Sequence, residues 1–243
     1  MNPARLSDIW VYLAASPLLH LTMTIAAYVL GDWLYRKSGN NALFNPVLIA
    51  IIVLVGVLVT TGTKYESYFE GAQFVHFFLG PATVALAVPL YNNFGKLRQL
   101  WLPLSVGLIV GSAIAALSAI MLAWVLGASD QTLIALAPKS VTAPVAMGIT
   151  EKMGGPASLT AILVVSTGIL GAVLGPTVLD WCGIDDPATR GFAIGTSSHG
   201  IGTARAFQES EITGAFSGLA MGLNTLVSAV VIPPLLRLVG LVS

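Results

Sequence analysis

Residues 101–127 read WLPLSVGLIVGSAIAALSAIMLAWVLG, a run that contains no charged side chain. About 20 consecutive apolar residues are enough for an α-helix to cross the hydrocarbon core of a bilayer. This run therefore predicts a transmembrane helix, and it makes lipid the expected solvent for the rest of the chain.

The composition of the whole chain agrees with a membrane environment. Of the 243 residues, 56% are apolar and 9% are charged, and the mean hydropathy is +0.85. A soluble domain carries roughly 25% charged residues, because its surface faces water. We predict an all-α membrane protein in which residues 1–243 form a single integral membrane domain, with 40–127 and 128–240 as its candidate halves.

Other apolar runs raise the expected number of transmembrane segments to about six to eight. The runs long enough to cross are 9–30, 45–61, 71–91, 101–127, 157–179 and 213–239. Two more, 133–150 and 191–208, are apolar but interrupted by proline, glycine and polar residues. For these two, a full crossing, a broken helix and a re-entrant loop all stay open.

Two weaker patterns concern how these segments are arranged. Residues 79–88 can be laid over residues 136–145 with matching Leu, Pro and Val positions. Such likeness predicts internal repeats, which many transporter folds contain. Arg36 and Lys96 lie in the most basic loops, and the bias of basic residues toward the cytoplasm predicts that both loops face it.

Several function classes are not expected from this sequence. The formal net charge is zero, so no basic field would attract nucleic acid. Cys182 is the single cysteine, which leaves neither a disulfide framework nor a cysteine-based metal site. Neither a phosphate-binding loop nor a dinucleotide fingerprint occurs, so we expect no catalysis, no cofactor and no metal.

A lysine and two hydroxyls stand between two prolines in one of the interrupted segments. Pro138 and Pro144 bracket Lys139, Ser140 and Thr142. Proline breaks a helix, and the freed helix ends attract anions. The three polar residues are therefore candidate ligands of an anion, with the prolines as hinges. The alternative is a lysine that extends from a helix end to the headgroups.

The other interrupted segment, residues 195–205, reads GTSSHGIGTAR. This glycine density destabilises a regular helix, and lipid tolerates irregular backbone only where it lines a cavity or is buried in protein. Arginine suits a carboxylate and histidine suits proton coupling. The alternative is close helix packing with a structural histidine. The candidate ligands are Ser197, Ser198, His199, Thr203 and Arg205, and the candidate hinges are Gly200 and Gly202.

Two further positions belong to the predicted site. Thr83 stands between Pro81 and Pro89, an arrangement typical of a hinge or a backbone ligand site. Asn224 lies inside a long apolar run. An amide there predicts either an interhelical hydrogen bond or a place in the lining of a substrate pathway.

The interrupted segments resemble a known family. The stretches 79–91 (LGPATVALAVPLY), 138–144 (PKSVTAP) and 198–205 (SHGIGTAR) are similar to the signatures of the LrgB/CidB family. The likeness extends over about residues 40–240. It implies a multi-pass protein of the bacterial cytoplasmic membrane, often accompanied by a smaller holin-like protein of the LrgA/CidA type.

The resemblance also implies two descriptions of function. One is holin-like or antiholin-like control of murein hydrolase export and cell lysis. The other is transport of small monocarboxylates, as in similar plant envelope proteins that carry glycolate and glycerate.

Together, the residues and the resemblance favour a monocarboxylate transporter of the glycolate, glycerate or pyruvate type, with proton coupling as an option. A holin-like or antiholin-like regulator and a non-transporting scaffold are the alternatives. A dry, packed centre around Lys139 and His199 would favour the scaffold, whereas a cavity there would oppose it. Glycine-rich helix faces predict a homodimer.

Overall fold

The computed structural model describes residues 17–39, 41, 44–78, 81, 85, 87–92 and 94–242. Every regular element in that part of the chain is helical, which confirms the predicted all-α class. Two compact units divide the chain, Met1–Ala85 and Leu86–Ser243.

The first unit contains α1 (Pro17–Lys37), α2 (Pro46–Thr61) and α3 (Tyr65–Phe77). Helix α1 packs against α2 and α3 through small residues. A Cβ added to Gly31 would lie 3.0 Å from Cα of Pro46, and one added to Gly71 would lie 2.7 Å from Cβ of His20. Helix α2 is apolar but has only 16 residues, which is short for a full crossing.

The second unit contains three helices that are long and apolar enough to cross a membrane. They are α6 (Trp101–Val125), α9 (Ala157–Trp181) and α11 (Glu211–Leu238), with 25, 25 and 28 residues. The other helices described in this unit are α4 (Ala87–Asn92), α5 (Phe94–Gln99), α7 (Asp130–Leu136), α8 (Ala143–Lys152) and α10 (Pro187–Glu209).

Helix α10 is folded back on itself. His199 in its middle has φ 42° and ψ −136°, which is not helical. Nε of Arg190 lies 3.1 Å from Oε2 of Glu209, 19 residues further along. A straight helix would separate these two residues by about 28 Å. Ile194 and Ala206 also share one apolar cluster. Residues 187–209 therefore form a helical hairpin, hairpin B, with its tip at His199.

Helices α7 and α8 form a second hairpin, residues 130–152, called hairpin A. Thr160 of α9 contacts both arms, because its Oγ1 lies 3.1 Å from the carbonyl oxygen of Ala135 and 2.8 Å from Oγ1 of Thr150. These two residues lie at similar distances along the chain on either side of Thr142. The chain therefore rises to a tip at Thr142 and returns beside itself.

The two hairpins approach α11 from opposite ends and meet at its midpoint. Backbone atoms of Thr213 and Ser217, in the first half of α11, face the first arm of hairpin B. Ile232 and Leu236, in the second half, share an apolar cluster with hairpin A. Asn224, at the midpoint, contacts both tips. Because α11 is long enough to cross the bilayer, the hairpins enter from opposite faces and end at mid-depth.

This arrangement favours the re-entrant alternative for the interrupted segments 133–150 and 191–208. Each contains a helical hairpin rather than one straight helix. Within the predicted span at 71–91, the structure describes α3 as far as Phe77 and α4 from Ala87, and most of the residues between them lie outside the described part of the chain. Six to eight spans and internal repeats are not confirmed, and most of the residues that suggested a repeat, 79–88, lie outside the described part of the chain.

The hairpin topology of residues 187–209 predicts that both of its ends face the same side of the membrane. Asp185→Cys and Glu211→Cys, each in a Cys182→Ser background, should react with a membrane-impermeant maleimide from the same side of oriented vesicles. Both positions are exposed in the structure. Labelling of the two positions from opposite sides would mean that the segment crosses the bilayer once.

Candidate functional site

The tip of hairpin A exposes a backbone carbonyl that its own helix cannot satisfy. Pro144 stands four residues after Ser140 and has no N–H to donate to the Ser140 carbonyl. Nδ2 of Asn224 donates to this carbonyl at 3.1 Å. Helix α8 then begins with Thr142 as its N-cap residue. The two prolines of this segment therefore do produce a chain break, and the break lies at mid-depth.

The tip of hairpin B depends on an unusual backbone conformation. A positive φ is costly for a residue with a β-carbon, and His199 is the only non-glycine residue with one among the described residues. Nε2 of His199 lies 2.9 Å from the carbonyl oxygen of Val164. Oγ1 of Thr203 donates to the carbonyl oxygen of His199 at 2.8 Å. These bonds hold the tip against α9 and against its second arm.

Asn224 connects the two tips. Its amide nitrogen donates to the carbonyls of Ser140, at 3.1 Å, and Thr196, at 3.0 Å. Its amide oxygen accepts from the hydroxyls of Ser112 and Ser228. A primary amide has two donors and two acceptor sites, so the side chain is saturated. Asn224 is 2% exposed and makes interhelical hydrogen bonds rather than facing the cavity.

A cavity of about 600 Å³ adjoins both tips. Lys139 from hairpin A and Ser198 from hairpin B lie at its inner end, together with Ser197 and Thr167. Nζ of Lys139 donates to Oγ of Ser140 at 3.1 Å, and the hydroxyls of Ser197 and Ser198 are 3.0 Å apart. The remaining lining residues are Leu170, Gly171, Leu174, Gly175, Val178, Leu179, Ala193 and Ile194. The cavity thus has one cationic, hydroxyl-rich end and apolar walls.

Small residues in α9 allow the tip of hairpin B to come this close. A Cβ added to Gly168 would lie 2.6 Å from Cε1 of His199, and one added to Gly171 would lie 2.6 Å from Cβ of Ser198. The sequence analysis did not identify either glycine, nor the buried hydroxyls of Ser112 and Thr160. The glycine spacing in the 157–179 run was the available signal.

Other predicted site residues lie away from the cavity lining. Thr203 is buried, with its Oγ1 2.9 Å from Oγ of Ser217. Nη1 of Arg205 donates to Oε1 of Gln208 at 3.1 Å on the second arm of hairpin B. Oγ1 of Thr142 lies 3.5 Å from that of Thr225. Thr203, Arg205 and Thr142 are thus not among the residues that line the cavity.

The hinge positions are placed unevenly. Gly200 and Gly202 directly follow the tip of hairpin B, where a Cβ on Gly202 would lie 3.0 Å from Cγ2 of Ile194. Pro81 is exposed, and Pro89 lies in α4. Thr83 lies outside the described residues. No group of three or more His, Cys, Asp or Glu that could hold a metal occurs in the described part of the chain.

Ion pairs close the base of hairpin B. Nη1 of Arg190 lies 2.6 Å from Oδ1 of Asp180 at the end of α9, and its Nε bonds Glu209. Nζ of Lys96 lies 2.9 Å from Oδ1 of Asp186. The hydrogen bond from Lys96 and that from the backbone N–H of Thr189 lower the pKa of Asp186 to about 2. The charges thus collect at this end of the helices, where water and headgroups can solvate them.

Comparison with known proteins places these features in one family. The family model described as the LrgB-like family matches residues 24–238. The holin-like protein CidB of Staphylococcus epidermidis is 32% identical over 90% of this chain and 96% of its own length. The antiholin-like protein LrgB of Bacillus subtilis is 28% identical over 93% of this chain and 97% of its own. The uncharacterized protein YwbG of Bacillus subtilis is 36% identical over 90% and 97%. No solved structure matches.

Loss of the Asn224 amide should destabilise the protein more than loss of any one of its partners. Asn224→Leu is similar in volume but removes the donor to two buried carbonyls, and we expect it to lower the free energy of unfolding by about 3 kcal/mol. Ser228→Ala removes one bond to the same side chain and should cost about 0.6 kcal/mol. Unfolding of the purified protein in detergent with increasing SDS, followed by circular dichroism, measures both. Equal losses in the two variants would contradict the role of Asn224 in joining the two hairpin tips.

Proposed function

The chain belongs to the LrgB-like family, and from that membership we propose that it is a holin-like or antiholin-like protein of the bacterial cytoplasmic membrane. We further propose that its molecular activity is the passage of small monocarboxylates across that membrane. The names of the relatives support the first statement. The chemistry of the cavity supports the second.

The observation that carries the transport proposal is the position of Lys139. It is partly buried at the tip of hairpin A, beside a cavity, where the tips of two re-entrant hairpins meet. A cation at mid-depth in a membrane protein is expensive unless an anion or water compensates it, and such residues commonly mark substrate pathways. The cavity supports a carrier over the scaffold alternative, which requires a dry centre.

Two half-helices strengthen the preference of this place for an anion. Helix α8 begins just after the tip of hairpin A, and the second arm of hairpin B begins just after His199. Both present helix N-termini at mid-depth, where the helix dipole favours negative charge. We propose that a carboxylate pairs with Lys139, and that Ser140, Ser197 and Ser198 bond its hydroxyl or carbonyl oxygens.

Uptake into liposomes tests this proposal. We expect saturable uptake of labelled glycolate, glycerate, lactate or pyruvate by the purified protein, measured with and without an inward proton gradient. Lys139→Ala should lower uptake about tenfold or more, because it removes a charge-assisted bond. The matched control is Lys152→Ala, an exposed lysine at the base of hairpin A, which should leave uptake unchanged.

Arg205→Ala tests whether the lining of the cavity identifies the substrate ligands better than residue type alone does. Since Arg205 does not line the cavity, its loss should reduce uptake less than the loss of Lys139. If no acid is taken up by vesicles that are shown to be sealed and to contain folded protein, the transport proposal is refuted. The holin-like role would then be the remaining proposal for this protein.

A bacterial strain lacking the gene for this protein tests the holin-like proposal. We expect its rate of detergent-induced autolysis to differ from that of the parent, and wild-type protein to restore it. If lysis control depends on carboxylate passage, Lys139→Ala should fail to restore the rate at equal membrane abundance. Full restoration of the autolysis rate by Lys139→Ala would mean that lysis control does not depend on carboxylate passage. A companion of the LrgA/CidA type is the proposed partner, which co-purification of a tagged chain would detect.

A further inference from the structure

The two halves of the second unit, on either side of the hairpin tips, are packed differently. On the side from which hairpin A enters, buried apolar residues fill the space between hairpin A and its neighbours. The members of this cluster, each 6% exposed or less, are Ile120, Ile134, Ala137, Val141, Ala146, Ile149, Val164, Ile232 and Leu236. Cavities of about 610 Å³ and 230 Å³ also lie in this half, but neither of them is lined by Lys139. The buried cluster lies between these cavities and the lysine.

On the side from which hairpin B enters lies the cavity that Lys139 lines, beside a smaller buried cluster of Leu179, Ile194 and Ala206. The cavity extends along α9 from Thr167, near the middle of the helix, to Leu179, near its end. Twelve residues of helix cover about 18 Å, which is half of a bilayer and its interfaces. Its other wall is the first arm of hairpin B, at Ala193 and Ile194. The cavity therefore extends from Lys139 to the end of α9 that lies at the base of hairpin B.

We propose that the Lys139 site is accessible from the hairpin B face of the membrane and closed toward the opposite face, with hairpin A as the closed gate and Thr160 as the residue that positions it. This inference rests on the proposed function for the identity of the site as a ligand site. It adds the side of access, the moving element and a positioning residue.

Thr160 has the geometry that a gate contact needs. It is fully buried in α9, and its hydroxyl donates to the Ala135 carbonyl of one arm at 3.1 Å. The same oxygen lies 2.8 Å from the hydroxyl of Thr150 on the other arm, which can donate in return. One hydroxyl thus holds both arms of hairpin A to a membrane-crossing helix. Opening toward the hairpin A face requires these bonds to break.

Hairpin A has a second attachment, at its tip, in the bond from Asn224 to the Ser140 carbonyl. Asn224 also bonds hairpin B, so its removal would release both hairpins at once. Thr160 contacts hairpin A and not hairpin B. Thr160→Val keeps the shape of the side chain and removes only the hydroxyl, which makes it the more selective change.

The test measures from which side a cysteine in the cavity can be labelled. Ser197→Cys in a Cys182→Ser background is the reporter, because Ser197 is exposed and lines the cavity. A membrane-impermeant thiol reagent is applied to vesicles of each orientation. We expect labelling from the hairpin B face, which the basic residues Lys96 and Arg98 predict to be cytoplasmic, and no labelling from the other face.

Adding Thr160→Val should raise the rate of labelling from the hairpin A face at least about fivefold above the background of the chain with Thr160, since the two hydrogen bonds of this hydroxyl, each of about 1 kcal/mol, no longer favour the closed form. Thr132→Val is the matched control, because this threonine lies in the same hairpin and its hydroxyl lies 3.0 Å from that of Ser129. If Thr160→Val does not assemble, Thr150→Val removes one of the two bonds, the one between the two threonines.

Labelling of the reporter from the hairpin A face in the chain with Thr160 intact would overturn the inference. So would equal labelling of the Thr160→Val and Thr132→Val chains. The assay uses no substrate, so its outcome is independent of whether the protein carries any acid. If labelling is one-sided but no acid is taken up, the transport proposal is refuted and the access proposal stands. If an acid is taken up but labelling occurs from both faces, the access proposal is refuted and the transport proposal stands.

Discussion

The arrangement of the second unit depends on one primary amide placed where water is scarce. Hairpin A ends in the Ser140 carbonyl, to which Pro144 cannot donate, and in hydrocarbon an unpaired carbonyl costs several kilocalories per mole. Asn224 donates to this carbonyl and to that of Thr196 in hairpin B, with the two protons of a single nitrogen. Its oxygen is held by Ser112 and Ser228 from α6 and α11. Two hairpins from opposite faces and two long helices are thereby joined at one side chain.

This constraint also determines where chemistry can occur. Because Asn224 lies at the midpoint of α11, both hairpin tips lie at mid-depth, and each hairpin occupies half of the membrane. Lys139, adjoining the tip of hairpin A, lines the cavity on the hairpin B side, and the buried cluster of hairpin A lies on the other side of the tips. Its charge can therefore be solvated through that one cavity, because the cavities in the hairpin A half do not include Lys139 in their lining.

The sequence was sufficient to predict the membrane class and the two chain breaks, since prolines, glycines and hydroxyls inside apolar runs have direct local effects on a helix. It was not sufficient to predict that each broken segment turns back. A pair of half-helices has the same hydropathy as a crossing helix, and the pairing of Arg190 with Glu209 leaves no periodic pattern. Periodicity also cannot be followed through a break, so Arg205 was placed in the site by its charge alone, whereas its helical register directs it to Gln208. Thr160 was missed because one hydroxyl in an apolar helix has no pattern.

The two carbonyls that Asn224 binds differ in what surrounds them. At Ser140 the lack of a helical donor is covalent, because the residue four positions later is a proline and no rearrangement of the backbone can supply its missing hydrogen. At Thr196 the residue four positions later, Gly200, retains its N–H and lies just beyond the reversed torsion of His199. The break in hairpin A is therefore fixed by the identity of a residue, whereas the reversal in hairpin B depends on the torsion angles of a single residue.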